Sequence, residues 1–345
     1  MNNLSLKTNA SSDAWSGPCT DSRIVGWFIA TILTNGFGVV SNFIVLLALI
    51  VYKPLRRSSS SLLIIHCIVI DLYATAIAVP IDTIPLYLGP TWPLPPTFCK
   101  YQGLYLYITY AASQYASAVL AFHRLTAVIC PLKFKIFTKR SAIVIMILTP
   151  WVISAIINIF PTAEVGLKVV PFKTYGLGGC TFALTPNTTI PKPFLLYTTA
   201  SYYIPTFFMG ICYSTVLLKT QREIRLKGQT ASVALRRRFE ISRTLFVSFL
   251  WLCASVYPIN LVASFASRRF AADLSLMLFL RWLSTSFGCM NPIFFWTTSK
   301  LFQAGIGTVM KCQWFRRLRK GNITMPCSVT ISKARDPDRL TFSKY

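Results

Sequence analysis

Acidic residues are scarce. The 345-residue chain has 10 Asp and Glu against 35 Lys and Arg, a formal net charge of +25. Charge of either sign is thin, at 13% of residues, where a soluble domain carries about a quarter. With two histidines, His66 and His123, and no His-Glu-x-x-His, a histidine metal site is not expected. One deep carboxylate, Asp71, makes no aspartyl pair, so an intramembrane enzyme is disfavoured. The N-terminal stretch MNNLSLKTNASSDAWSGPCTDS lacks an apolar core, and no cleaved signal peptide is expected there. No internal repeat is visible, which counts against an inverted-repeat transporter.

What the chain has instead is apolar length. Hydrophobic residues make up 54% of it. Seven segments, near 24–51, 61–88, 100–130, 141–163, 194–218, 241–266 and 272–297, reach the roughly 20 residues that cross a bilayer core. Only helices suit such runs, because lipid offers no partner to an unpaired backbone group. The third and seventh are less apolar and are read partly from their neighbouring loops. The fold class expected is all-α, a seven-transmembrane bundle.

The basic residues orient it. Lys53, Arg56 and Arg57 follow the first segment, and Lys133, Lys135, Lys139 and Arg140 follow the third. Lys219, Arg222, Arg225, Lys227 and Arg236 to Arg238 lie between the fifth and sixth. Lys311, Arg316, Arg317, Arg319 and Lys320 follow the seventh. The other loops hold fewer, which places the N-terminus outside and the C-terminus inside a plasma membrane. Charge spread over loops in this way does not make a nucleic-acid face, and no nucleic acid is expected as a partner.

Three sequons, at Asn3, Asn9 and Asn187, fall on the outer side and are candidate glycosylation sites. A fourth, at Asn322, falls inside and should be silent. Most of the ten cysteines lie in or beside apolar segments and read as small core residues. Cys99 and Cys180 both fall outside, where a disulfide can form. Their bridge would tether the long loop before the fifth segment across the bundle, and Cys19 has no obvious partner. Asp71, Arg124 and Asn291 put polar groups in three separate apolar segments, where each is either a satisfied structural group or a working part. Pro161, Pro205, Pro258 and Pro292 would kink the last four segments.

Taken in order, these residues resemble the rhodopsin-like family of G-protein-coupled receptors, as a divergent, invertebrate-type member. Asn42 in GVVSNFIVLL, Asp71 in LLIIHCIVIDLY, and Cys99 with Cys180 match family positions. Arg124 lies 25 residues after Cys99, and HRLTAVICPLKF resembles the Asp-Arg-Tyr motif with its following Pro-Leu. Trp151 and Pro161, Pro205 and Tyr213, Pro258, and the Asn291-Pro292-Ile293-Phe294-Phe295 run continue the match over residues 24–312. The resemblance implies a receptor domain at 24–298 between an outer tail, 1–23, and a cytoplasmic tail, 315–345. Lys300, Leu301 and Phe302 would begin a short amphipathic helix, 299–314, lying on membrane lipid, with Cys312 a candidate palmitoylation site. It implies a heterotrimeric G protein as partner, with Arg124, His123, Tyr213, Asn291, Pro292 and Phe295 forming the coupling and switch set. Asp71, Ser113 and Asn42 would form a polar site with no cofactor unless a sodium ion sits near Asp71. Ser328, Thr330, Ser332, Thr341 and Ser343 are either kinase targets leading to arrestin or plain solvated tail.

The departures are specific. His123 replaces the acid before Arg124, and Leu125 replaces the tyrosine after it. Arg238 stands where several members carry an acid, and Glu240 is turned about 200° away on the helix. The usual ionic restraint on the sixth segment is therefore missing, and raised basal activity is expected. Ser255 and Val256 replace the Cys-Trp pair, which loses the aromatic toggle or moves it to Trp251. Phe295 replaces a tyrosine and cannot donate a hydrogen bond.

For the ligand, Leu106, between Tyr105 and Tyr107, stands where amine receptors carry aspartate, which disfavours an amine. Thr285 stands where visual pigments carry lysine, which disfavours an opsin. Asp82 and Arg281 either pair with each other or leave Arg281 to receive a ligand carboxylate. Tyr107, Tyr197, Ser201, Asn260 and Thr285 would line the same pocket, and an outer side rich in Tyr and Trp, with Trp92, suits a peptide. The alternative function class is a polytopic membrane transporter or channel, which would need polar lining along several segments.

Overall fold

The structure is a computed structural model that describes residues 21–57, 60–90, 92, 95, 97–172, 175, 177–186, 188–230 and 232–311. Among the described residues, eight longer helices order it. They are α1 (Ser22–Val51), α2 (Ser61–Leu88), α3 (residues 98–129), α4 (Arg140–Thr162), α5 (Pro193–Lys227), α6 (Val233–Phe265), α7 (residues 274–298) and α8 (Lys300–Met310). Short helices Lys53–Arg56, Phe134–Phe137 and Ser267–Ala272 fill connections. In α1, α2, α4, α5 and Arg238–Phe265 of α6 the helix is long and apolar enough to cross a membrane. Each has a stripe that no other helix covers. On α1, Leu33, Phe37 and Val40 are exposed, as befits an apolar solvent.

Side-chain caps start three of the helices. Asp21 accepts from the N–H of Arg23, Ser232 from that of Leu235 and Asp273 from that of Leu276. Hydroxyls and amides within the helices mostly bond back to the carbonyl four residues earlier, as Thr31 does to Trp27, Asn35 to Thr31 and Asn260 to Val256. That habit lets a polar side chain sit in an apolar helix without an orphaned donor.

Three helices widen by one residue in a single turn, at Ala74–Ala78, Gly103–Tyr107 and Thr199–Tyr203. Two widened turns lie just before Pro80 and Pro205, where the ring would clash with the carbonyl four residues earlier. In α5 the wider turn sends the Ile204 N–H to Thr199 rather than Ala200. The Ala200 carbonyl instead accepts from the Tyr115 hydroxyl of α3 at 2.7 Å. Helix α7 breaks at Ser286, ahead of Pro292, where the Ser286 hydroxyl also bonds to Leu283 at 2.7 Å.

The helices close a ring through neighbouring pairs α1–α2, α2–α3, α3–α5, α5–α6, α6–α7 and α7–α1, with α4 packed outside α3. One apolar core, including Leu49, Ile64, Leu120, Met209 and Phe302, fills the half near Arg124. A second, including Ile24, Leu86, Leu177 and Met277, fills the opposite end. The expectation of pure helix misses one element. Strands β1 (Leu167–Pro171) and β2 (Cys180–Leu184) pair antiparallel, with Val169 opposite Phe182 and Pro171 opposite Cys180.

The disulfide between Cys99 and Cys180 pins that hairpin to the start of α3. Beyond it Gly178 lies flat on the end of α2. A Cβ there would sit 2.4 Å from the Pro85 and Gly89 carbonyl oxygens, so only glycine fits. Leu177, fully buried, then anchors the loop in the second core.

Candidate functional site

Three groups of residues stand out, one in the middle of the bundle and one at each end. The middle group grows from Pro292. Proline has no N–H, so the Gly288 carbonyl four residues earlier loses its helical donor. The Asn42 amide supplies one at 3.0 Å and reaches the Gly38 carbonyl at 2.9 Å as well. Gly288 faces Asp71 of α2, whose carboxylate would be in ordinary van der Waals contact with a Cβ placed there. Asn291 donates to Asp71 Oδ2 at 2.7 Å. Three of the polar residues read from the sequence therefore meet across α1, α2 and α7. Asp71, Ser113 and Asn291 also line one cavity with Tyr213 and Phe295. A hard cation such as sodium needs oxygen donors, and the Asp71 carboxylate with the Ser113 hydroxyl would be those that hold it.

At the Arg124 end, the residue before the arginine is tied elsewhere. His123 is fully buried, and its Nδ1 lies 3.0 Å from the Ser60 hydroxyl at the start of α2. Its ring packs on Phe134, with centroids 4.9 Å apart. Tyr213 is buried and donates to the Ser117 carbonyl of α3 at 3.4 Å. Phe295, without a hydroxyl, stacks on Phe302 of α8 at 4.5 Å and joins α7 to α8 through rings. Trp251 has Phe294 as its aromatic neighbour, 6.3 Å between centroids. Trp151 donates to His66 Nε2 at 3.0 Å. Basic side chains also tie one long helix to the next through backbone carbonyls. Lys219 of α5 donates to Val128 of α3 at 3.0 Å, and Arg243 of α6 to Thr298 of α7 at 2.7 Å.

At the disulfide end, Asp82 and Arg281 pair at 3.9 Å, with both side chains less than a fifth exposed. Gln102 donates to the other Asp82 oxygen at 2.9 Å, and Phe172 lies over the Arg281 guanidinium at 6.0 Å. The two charges therefore face each other between α2 and α7. On the other side, Phe182 of β2 packs on Tyr107 at 4.7 Å and Tyr197 at 5.1 Å. The Tyr197 hydroxyl donates to Asn158 of α4 at 3.0 Å. Ser201 and Leu106 are buried, Asn260 bonds to its own helix, and Thr285 bonds to the Trp282 carbonyl.

Gln102 and Asn158 were passed over in the sequence, although each is a polar side chain at the edge of or within an apolar run. Arg243 and Thr298 carried no such signal. Asn3, Asn9, Asn187, Cys19 and Cys312 lie outside the described residues, as do Asn322 and the tail hydroxyls from Ser328 to Ser343.

Comparison with known proteins agrees with this arrangement. Residues 41–295 match the family described as 7 transmembrane receptor (rhodopsin family). The allatostatin-A receptor of Bombyx mori is 24% identical, over 84% of this chain and 80% of the relative. Neuropeptide receptor 15 of Caenorhabditis elegans is 21% identical, over 81% and 88%. The 5-hydroxytryptamine receptor 2 of Aplysia californica is 23% identical, over 80% and 73%. A family match across most of the chain, on an all-α bundle with a bridged hairpin at one end and a polar centre, makes this protein a member of the rhodopsin family: a multi-pass plasma-membrane receptor, not an enzyme.

Proposed function

We propose that the receptor binds an extracellular peptide at its disulfide end and activates a heterotrimeric G protein at its Arg124 end by rearranging α5 to α7. In this reading α1 to α7 are seven spans, with the N-terminus outside. Helix α8 lies along the inner face, with Phe302 and Ile306 turned to the bundle and Gln303 and Ala304 away from it. The exposed Lys133, Lys135, Lys139 and Arg140 at the Arg124 end support that orientation.

The charge pattern at the disulfide end carries the ligand reading. An ammonium ligand needs a buried anion, yet α3 offers Leu106, and Asp82 is taken by Arg281 and Gln102. Arg281 is a fork of donors set against the Phe172 ring, a partner for a carboxylate or a peptide carbonyl. The C. elegans relative is named for neuropeptides and the Aplysia relative for an amine. The absence of an acid on α3 favours the former.

The test is a screen of peptides and amines on cells that express the receptor with a promiscuous G protein. A peptide should evoke the response, and Arg124→Ala should abolish it while the same peptide still binds intact cells. A response to amines alone would reverse the ligand assignment. Purified receptor that never accelerates nucleotide exchange on any G protein would sink the coupling role.

A further inference from the structure

The acid-base restraint expected at the base of the sixth helix is absent from the sequence, since His123 and Arg238 stand at the two acidic positions. Helix α7 ends at Thr298, and Ser299 leaves the helix with φ −130° and ψ 113°. The Thr298 carbonyl therefore has no helical donor and sits at the negative end of the helix dipole. Arg243 Nη2 donates to that carbonyl from α6 at 2.7 Å. One residue on, the fully buried Thr244 hydroxyl lies 2.5 Å from the Thr298 hydroxyl. Each hydroxyl has one proton, so one of the two donates across to the other while its partner donates within its own helix, Thr244 to Glu240 or Thr298 to Phe294. A cation and a hydroxyl from α6 thus converge on the last residue of α7.

We infer that Arg243 is a positioning residue that holds the cytoplasmic end of α6 against α7 in the resting receptor, in place of an acid-base latch on α3. The inference rests on the proposed rearrangement of α5 to α7. An outward swing of α6 must draw Arg243 away from Thr298, so the bond exists in one state and not the other. Only such a differential contact biases a two-state equilibrium. The expected rise in basal activity from the missing acids is then offset from α6.

Arg243→Met keeps length and apolar stem but removes the donors, while Arg243→Lys keeps a cation that reaches the same carbonyl. At matched surface expression, Arg243→Met should raise agonist-independent G-protein activation by roughly threefold or more, the shift expected from losing one charge-assisted hydrogen bond of a single state. Arg243→Lys should stay near wild type. Spin labels on full-length receptor in lipid nanodiscs, carrying Arg238→Cys and Lys300→Cys, would report the separation of α6 from the α7–α8 junction. Without agonist, Arg243→Met should shift that distribution to longer distances. An unchanged distribution with unchanged basal activity would overturn the inference. A longer separation in a receptor that activates no G protein would keep the latch and remove the coupling reading. If Arg243→Met does not reach the surface, Thr244→Val in the same distance measurement decides, and an unchanged distribution there counts against the latch.

Discussion

Asn42 shows how one side chain can repair a backbone defect that another creates. Pro292 orphans the buried Gly288 carbonyl, and the Asn42 amide is its surrogate donor. Asn42→Ala should therefore lower stability by about 1 kcal/mol, the net worth of a typical buried hydrogen bond. Pro292→Ala returns an N–H to the helix, so in that background the loss from Asn42→Ala should shrink to a few tenths of a kcal/mol at most. Thermal unfolding of the detergent-purified single and double variants measures the coupling. Strictly additive midpoint shifts would show that Asn42 does not serve the proline. Asp71 and Asn291 were legible in the sequence because a polar atom in an apolar run is rare and must find a partner, and Asn42 through its family resemblance. Which partner each finds was not legible, since it depends on how α1, α2 and α7 rotate. Arg243 was invisible for the opposite reason. A basic residue near a helix end looks like one more orienting charge, and only the placement of the α7 terminus gives it a target.

At the scale of elements, helix positions were written in apolar length, and α1 to α7 lie within a few residues of the seven segments, except that α5 and α6 run further into the segment that joins them. The hairpin was not, because a short strand inside a loop carries little apolar periodicity and is fixed by the Cys99–Cys180 bridge and the Gly178 contact. The break at Ser286 was also unreadable, although Pro292 nearby drew attention to α7. Helix contacts themselves turn on small residues. Gly38 of α1 faces Cys289, where a Cβ would stand 2.7 Å from its sulfur, whereas Gly36 faces open space. Gly38→Ala should thus destabilise by about 1–3 kcal/mol, the cost of overpacking. Gly36→Ala, in a helix interior, should stabilise by about 0.5–1 kcal/mol. Cys289→Ala in the Gly38→Ala background removes the sulfur and should recover part of the loss. Equal effects at Gly36 and Gly38 in a melting series would mean that α1 and α7 do not meet at this face.

Across the whole molecule, the β1–β2 loop spans the bundle from one wall to the other. Phe182 packs on α3 and α5, while Leu177 and Phe172 pack near α1, α2 and α7. Beneath it the side chains divide between an aromatic group around Tyr107 and Tyr197 and a charged group around Arg281. A peptide carboxylate or carbonyl that engages Arg281 must compete with Asp82, which already holds the guanidinium at 3.9 Å. The two members of the pair should then act in opposite directions on the same ligand. Arg281→Gln removes the fork and should weaken peptide potency by about tenfold or more, in line with a charged hydrogen bond of roughly 1.5–3 kcal/mol. Asp82→Asn keeps the acceptor for Gln102 but releases the guanidinium, and should leave potency unchanged or raise it. Concentration–response curves for the peptide found in the screen, at matched surface expression, separate these outcomes. If Asp82→Asn and Arg281→Gln lower potency equally, the pair is a brace between α2 and α7, and the ligand contacts the aromatic group alone.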